Sequence, residues 1–307
     1  MRKTVLITGV NGFLGNALWR CVNKYSKQFR VFGVDVAVRR PRNKNIFCCD
    51  LLDEKKVTRL LAKIKPDIVF HLAGGRMNGK KELLKGNFAT TELLLNAVAS
   101  VRSLKPRIVI PVSAAEYGRP LRRGQRMTEG TRPRPVNWYG FVKHLQTSLG
   151  LRSAGEGLDV VIARIFNITG TGTPSTLAAG SFARTIALIE QGKSSPVIET
   201  SGLSSKRDFL DVDDVASALL ALALKGKRGE IYNVCSGRSY AVRDILKKLL
   251  SFSKRKDIRV NEKKERSSSG FDSLGSNAKI RKTTHWRPRV SILKSLKNTL
   301  QYYRKTT

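Results

Sequence analysis

Three glycines spaced three apart, in "TGVNGFLG" at residues 8–15, hand a short strand-forming run over to an amphipathic segment. The run before them, "KTVLITG", is apolar and β-branched, and the segment after them, "FLGNALWRCVNKY", repeats its apolar residues at helical spacing. A strand and helix joined this tightly leave the next strand one short course, back across to lie parallel to the first. Gly9, Gly12 and Gly15 let the backbone turn, approach a pyrophosphate with no Cβ in the way, and pack helix on strand, while the helix amides face the anion. The second strand, "FRVFGVDV", carries Asp35 near its end, 20 residues beyond Gly15. A carboxylate there accepts hydrogen bonds from an adenosine ribose and repels a 2′-phosphate, which favours NAD(H). Arg39 and Arg40 follow closely and leave NADP(H) open.

The rest of the chain repeats the alternation. "DEKKVTRLLAKI" reads as helix, "DIVFHLAG" as strand, 85–101 as a long helix, and "RIVIPVS" as strand. A helix from Tyr139, a strand "LDVVIARIFN", a helix "AGSFARTIALIEQ" and a later strand and helix pair follow. Strands apolar almost throughout and separated by helices predict an α/β fold, a doubly wound parallel sheet covered on both faces, with its ligand crevice at the carboxyl ends of the strands. The expected division is a dinucleotide-binding domain of residues 1–166 and 206–235, and a smaller substrate domain of 167–205 and 236–307. The polar segment 261–277 reads as a loop.

Composition narrows the class. The 307 residues are 41% hydrophobic and 26% charged, which are globular values. The longest strongly apolar helix-like run, 215–224, is far short of a membrane span, and the apolar part of the amino-terminal run is too short for an export signal. Four scattered cysteines and three scattered histidines suggest neither a disulfide framework nor a zinc site, so a reducing cytoplasm is expected. The charge is unusual: 58 Lys and Arg against 23 acids give +35, dense over 253–307 with 16 basic and 4 acidic side chains. Such a field attracts polyanions, yet no nucleic-acid-binding signature accompanies it, and a solvated basic surface with no dedicated nucleic-acid partner is expected.

Two further stretches suit a bound dinucleotide. "CCDLLD" places Asp50 and Leu51 beyond the third strand, at an adenine's edge and face, with Asp53 suited to capping the next helix. "HLAGG" supplies the small end of the fourth strand with Leu72, Ala73 and Gly74, where bulk would block a cofactor.

Together "TGVNGFLG", "GVD", "DL", "HLAG", "VSAAEYG", "YGFVK", "RIFNITG" and "RDFLDVDDVA" resemble the extended short-chain dehydrogenase/reductases that act on nucleotide sugars, along essentially the whole chain. The resemblance implies a catalytic set of Ser113, Tyr139 and Lys143, and cofactor contacts that add Asn11, Phe13, Leu14 and Phe166 to those above. The chemistry is sound. A phenol with an ordinary pKa of about 10 needs a nearby cation to act at neutral pH, and Tyr139 and Lys143, four residues apart, share a helix face. Ser113 then orients the reacting carbonyl while the nicotinamide carries the hydride. Where the family's 4,6-dehydratases carry an Asp-Glu pair, this chain has Ala114 and Ala115, which cannot shuttle protons. The carboxyl-terminal half most resembles the GDP-4-keto-6-deoxy-D-mannose reductases. That implies reduction of a 4-keto-6-deoxy sugar nucleotide with contacts from Ser113, Glu116, Asn167, Arg184, Arg207 and Arg266, arginine suiting a pyrophosphate through its fork of donors. The alternatives are a nucleotide-sugar 4-epimerase with tightly held NAD, and a non-catalytic dinucleotide-binding module with a basic surface. Many relatives are homodimers through paired helices, which here correspond to 85–101 and 139–154. Departures are Trp138 for Pro and Val142 for Ser around the tyrosine, "RSSSG" for "RPSE", and "HWRP" for "GWxP", the last placing Trp286 under the final helix.

Overall fold

The computed structural model describes residues 2–36, 43–75, 79–122, 124–263 and 272–307. From the amino terminus run β1 (Lys3–Thr8), α1 (Phe13–Asn23), β2 (Phe29–Asp35), β3 (Ile46–Cys48), α2 (Glu54–Ile64) and β4 (Ile68–His71). The helix expected at 85–101 begins earlier and is interrupted: α3 (Lys80–Leu83), a π-helical turn (Leu84–Ala89) and α4 (Thr90–Ser100). Then come β5 (Arg107–Ser113), a 3-10 turn (Ala114–Tyr117), α5 (Trp138–Gly155) and β6 (Asp159–Ile165). The carboxyl-terminal part holds β7 (Asn167–Thr169), α6 (Ala178–Glu190), β8 (Val197–Thr200), β9 (Lys206–Asp211), α7 (Val212–Lys225), β10 (Ile231–Val234), β11 (Ser239–Ala241), α8 (Val242–Ser251), β12 (Arg259–Glu262), α9 (Ala278–Thr284) and α10 (Ile292–Thr306).

Seven strands form one sheet in the order β10-β6-β5-β4-β1-β2-β3, every pairing parallel. The near-continuous apolar character of these strands has a direct cause. In β1, Val5 and Ile7 point to one face, packing with Leu18 of α1 and Leu219 of α7, while Leu6 points to the other with Leu61 of α2 and Leu95 of α4. β6 divides the same way, Val161 to the first face and Val160 and Ile162 to the second. Each fully buried aliphatic side chain contributes about 1.5–3 kcal/mol, whereas an exposed, solvent-screened ion pair such as Arg152–Glu156 adds little. The two-sided core therefore holds the sheet, and the many surface cations do not.

The chain reverses its direction of travel across the sheet between β1 and β4, so the doubly wound expectation holds and the crevice lies where their carboxyl ends diverge. Two of the strands read from the sequence are placed differently. β9 pairs with β7 and β11 in a separate three-stranded sheet, so residues 206–211, expected in the dinucleotide-binding domain, lie outside the seven-stranded sheet. The run read as one strand over 158–167 likewise splits, β6 in the large sheet and β7 in the small one. Conversely, Ile280 of α9 and Trp286 join the first core, with Trp286 Nε1 donating to Ser217 Oγ of α7 at 2.9 Å. Trp286 thus packs against α7 and not under the last helix. A third core, built by α6, α8 and α10 with β8 and β9, belongs to the smaller unit. Of the expected loop at 261–277, Asn261 and Glu262 belong to β12, and 264–271 lie outside the described residues. Asp53 caps α2 by accepting from Lys56 N at 3.0 Å.

Candidate active site

The dinucleotide end is assembled from strand ends. Gly9 follows β1 with a φ of +64°, and a Cβ there would lie 2.8 Å from Leu72 and Ala73 backbone atoms. Gly15, in the first turn of α1, is closer still: its Cβ would stand 2.1 Å from Gly9 O. Only glycine allows these contacts, which draw the amino end of α1 against the carboxyl ends of β1 and β4. Gly12 caps α1 with no side-chain bond, so the first amides keep their donors directed outward. Asp35 Oδ2 accepts from Asn11 N at 2.9 Å and ties the glycine turn to the end of β2. Phe13, Leu14, Leu72 and Ala73 are half-buried around this mouth, and Gly74 is exposed. A cradle that a Cβ would fill, an uncapped helix end and an acid at the next strand end fit a dinucleotide: the turn 9–15 would receive the pyrophosphate, and Asp35 the adenosine ribose.

Three residues expected to contact ligands have buried side chains. Leu51 is packed in the second core beside Cys49 and Val57, so its face is unavailable to an adenine, although the neighbouring Asp50 is exposed. Phe166 is buried with Tyr117 and Cys235, its ring 6.2 Å from that of Tyr117, and it packs the protein interior. Glu116 is fully buried, and its carboxylate is spent inside: Oε2 accepts from Arg164 NH2 at 2.9 Å and from Thr147 Oγ1 at 2.9 Å. It therefore supports the turn after Ser113 from the interior. Arg164, itself 1% exposed, stacks over the Tyr117 ring at 4.6 Å. Arg39, Arg40 and Arg266 lie outside the described residues.

Ser113 ends β5, and its Oγ accepts from Ala115 N at 3.2 Å, which leaves the hydroxyl proton to offer to a carbonyl oxygen. Asn137 caps α5 through Gly140 N, and Gly140 packs so near the 3-10 turn that a Cβ would lie 2.5 Å from Ala115 O. That approach seats Tyr139, half-buried in the first turn of α5, beside the end of β5. One turn on, Lys143 is 6% exposed, and its Nζ donates to Gln146 Oε1 at 2.8 Å. Burial draws the Lys143 ammonium down to about 8, with Glu116 opposing the shift. Ser113 thus ends a central strand, and Tyr139 and Lys143 stand one turn apart on α5, the helix that packs against the turn following that strand.

On the substrate side, β7 and β9 bring Asn167 and Arg207 to neighbouring strands of the small sheet. Asn167 Nδ2 donates to Asp208 O at 3.2 Å and lies 3.5 Å from Ser273 Oγ. Sequence reading did not single out Asp208, yet its buried carboxylate accepts from Ser236 N, Ser236 Oγ, Gly237 N and Gly275 N and gathers two loops around this corner. Burial pushes its carboxyl up to about 6 against the pull of those donors. Arg184 lines a cleft of about 480 Å³ between α6 and α10 with Gly172, Pro174, Leu188 and Tyr303.

Comparison with known proteins agrees with this geometry. The family model described as "NAD dependent epimerase/dehydratase family" matches residues 5–235. The GDP-6-deoxy-D-mannose reductase of Pseudomonas aeruginosa is 30% identical over 305 residues, 97% of this chain and 96% of that protein. The GDP-6-deoxy-D-talose 4-dehydrogenase of Aggregatibacter actinomycetemcomitans is 28% identical over 84% of this chain and 83% of its own. Among solved structures, that of RMD from Pseudomonas aeruginosa complexed with NADPH superposes with a TM-score of 0.86 at 28% identity, covering 99% of this chain and all of the other. The UDP-glucose 4-epimerase of Thermotoga maritima with UDP-glucose gives 0.84 at 25% identity, covering 99% of each chain.

Proposed function

The chain belongs to the NAD dependent epimerase/dehydratase family and is an NAD(P)-dependent oxidoreductase, and on that premise we propose that it reduces the 4-keto group of GDP-4-keto-6-deoxy-D-mannose to give GDP-D-rhamnose. The observation that carries this reading is the turn after Ser113. Elimination of water from a sugar needs an acid and a base at the reacting face. Here Ala114 and Ala115 stand half-buried beside Ser113, and the turn's one carboxylate, Glu116, faces Arg164 in the interior. What remains at the strand end is a hydroxyl, a phenol and an ammonium, a set suited to reducing a carbonyl and not to dehydration.

In this reading Ser113 donates to the ketone oxygen and fixes its direction, and Tyr139 delivers the proton that completes the alcohol. Lys143 keeps a positive charge beside the phenol, which eases loss of that proton. The nicotinamide, when bound, supplies the hydride. Asn167 and Arg207 hold the nucleotide sugar from the small sheet. The names of the relatives just described support the GDP-linked 6-deoxyhexose. The reading extends to a dimer of two copies through α4 and α5, which lie side by side and leave Phe141 exposed.

The test is incubation with a panel of 4-keto sugar nucleotides and NADH or NADPH, following loss of reduced cofactor and identifying the product. Net consumption with the GDP-linked ketone and formation of GDP-D-rhamnose are expected. Protein that purifies with tightly held NAD and interconverts sugars without consuming added cofactor would instead be a 4-epimerase. For the cofactor itself, Asp35→Asn keeps an oxygen for Asn11 N and removes the charge that repels a 2′-phosphate. The ratio of kcat/KM for NADPH to that for NADH is expected to rise about tenfold, the ~1.4 kcal/mol that one nearby charge supplies at the protein surface. An unchanged ratio would remove Asp35 from cofactor discrimination.

A further inference from the structure

Behind Lys143 a file of buried polar side chains crosses from α5 to β1. Lys143 Nζ meets Gln146 Oε1 at 2.8 Å, Gln146 Nε2 meets Thr91 Oγ1 at 2.7 Å, and Thr91 Oγ1 meets both Asn87 O at 2.6 Å and His71 Nε2 at 3.0 Å. His71 Nδ1 meets Thr8 Oγ1 at 3.0 Å, and Thr8 Oγ1 in turn lies 3.1 Å from Ala73 N. Gln146, Thr91, His71 and Thr8 are each 1% exposed or less.

The protons along this file are determined by its ends. An ammonium only donates, so the amide oxygen of Gln146 must face Lys143 and its NH2 must face Thr91. Thr91 has one hydroxyl proton, which the 2.6 Å contact assigns to Asn87 O, so its oxygen accepts from both Gln146 and His71. His71 then carries its proton on Nε2, and Nδ1 accepts from Thr8, whose oxygen accepts from Ala73 N. This arrangement requires a neutral imidazole, and burial together with the Lys143 charge draws His71 down to about 3. No member of the file can turn over without leaving a buried donor or acceptor unpaired, at a cost of about 1–3 kcal/mol.

We propose that Gln146 is a positioning residue that holds Lys143 by an uncharged oxygen, its amide locked in direction by Thr91, His71 and Thr8, so that the ammonium keeps its full charge toward Tyr139. A carboxylate at 146 would hold the lysine as firmly but cancel the charge the phenol needs. The proposal rests on the reading of Ser113, Tyr139 and Lys143 as the reacting set. The ionisable groups whose charge bears on Lys143 are Glu116 on the turn after β5 and His71 at the end of β4, with Glu116 already paired to Arg164, and Tyr139 stands one turn before it on the same helix.

The test follows the titration of Lys143 through the 13C shift of its Cε in lysine-labelled protein, with Lys143→Met identifying the resonance. Gln146→Glu is expected to raise the midpoint by about one pH unit or more, a tenfold change in the protonation equilibrium. Gln146→Leu, which leaves the buried ammonium without its acceptor, is expected to lower it by a similar amount. In turnover of the proposed substrate, Gln146→Glu is expected to lower kcat roughly tenfold with KM for the sugar nucleotide unchanged. Thr91→Val, which frees the Gln146 amide without touching Lys143, is expected to lower kcat in the same direction by a smaller factor. Midpoints within about 0.3 of a unit of the parent in both Gln146 variants, with the fold intact by circular dichroism, would overturn the proposal. Absence of turnover in the parent protein overturns the substrate assignment only, and the titration then decides the role of Gln146.

Discussion

Tyr139→Phe is expected to lower kcat by about 10²–10⁴-fold, the usual contribution of a positioned general acid, while the Kd for NADH or NADPH and the melting temperature stay close to those of the parent. The ring keeps its seat in the first turn of α5 beside the end of β5, so packing survives. Loss of one hydroxyl from a half-buried side chain costs about 1 kcal/mol of stability or less, whereas the lost proton transfer raises the barrier by about 3–5.5 kcal/mol. The two effects separate cleanly in a stopped-flow measurement of cofactor oxidation combined with a cofactor-binding titration. If kcat stays within about threefold of the parent, the proton comes from elsewhere and the assigned reacting set is wrong.

Glu116→Ala is expected to act on stability. It strands Arg164, 1% exposed, as a buried cation with no carboxylate, and it leaves the Thr147 hydroxyl without its acceptor. Removing one partner of a buried pair costs about 3–5 kcal/mol, which in a chain of this size lowers Tm by roughly 5–10 °C. Thermal denaturation followed by circular dichroism reads this directly. Adding Arg164→Met to Glu116→Ala is expected to recover most of the loss, because an apolar pair of similar volume needs no counter-ion. Had Glu116 been a substrate contact, as its place in "SAAEYG" suggested, the variant would raise KM and leave Tm alone. Intact stability would return Glu116 to the substrate site.

Both experiments bear on what is visible in a linear chain. The glycine turn was readable because three Cβ-free positions at fixed spacing have few uses, and Asp35 was readable because the second strand must end beside that turn. The parallel sheet was readable because strands buried on both faces lose the polar alternation of a half-exposed sheet. Tyr139 and Lys143 were readable as neighbours because helical geometry alone brings i and i+4 together. Whether Leu51, Phe166 and Glu116 face a ligand or the interior depends on which other elements cover them, and no local pattern carries that. The same holds for Asp208, whose donors come from two separate loops, and for β9, which looks like a strand of the large sheet until its partners are known.

What the residue order determined by itself is therefore local: turns, strand and helix periods, and the pairing of side chains one helical turn apart, all set by short-range sterics and backbone hydrogen bonding. Tertiary structure alone decided which polar groups lie buried and in whose company. Desolvation and the need to satisfy each buried donor and acceptor are properties of a closed interior, where Thr8, His71, Thr91 and Gln146 meet across up to 138 positions of sequence to hold one ammonium.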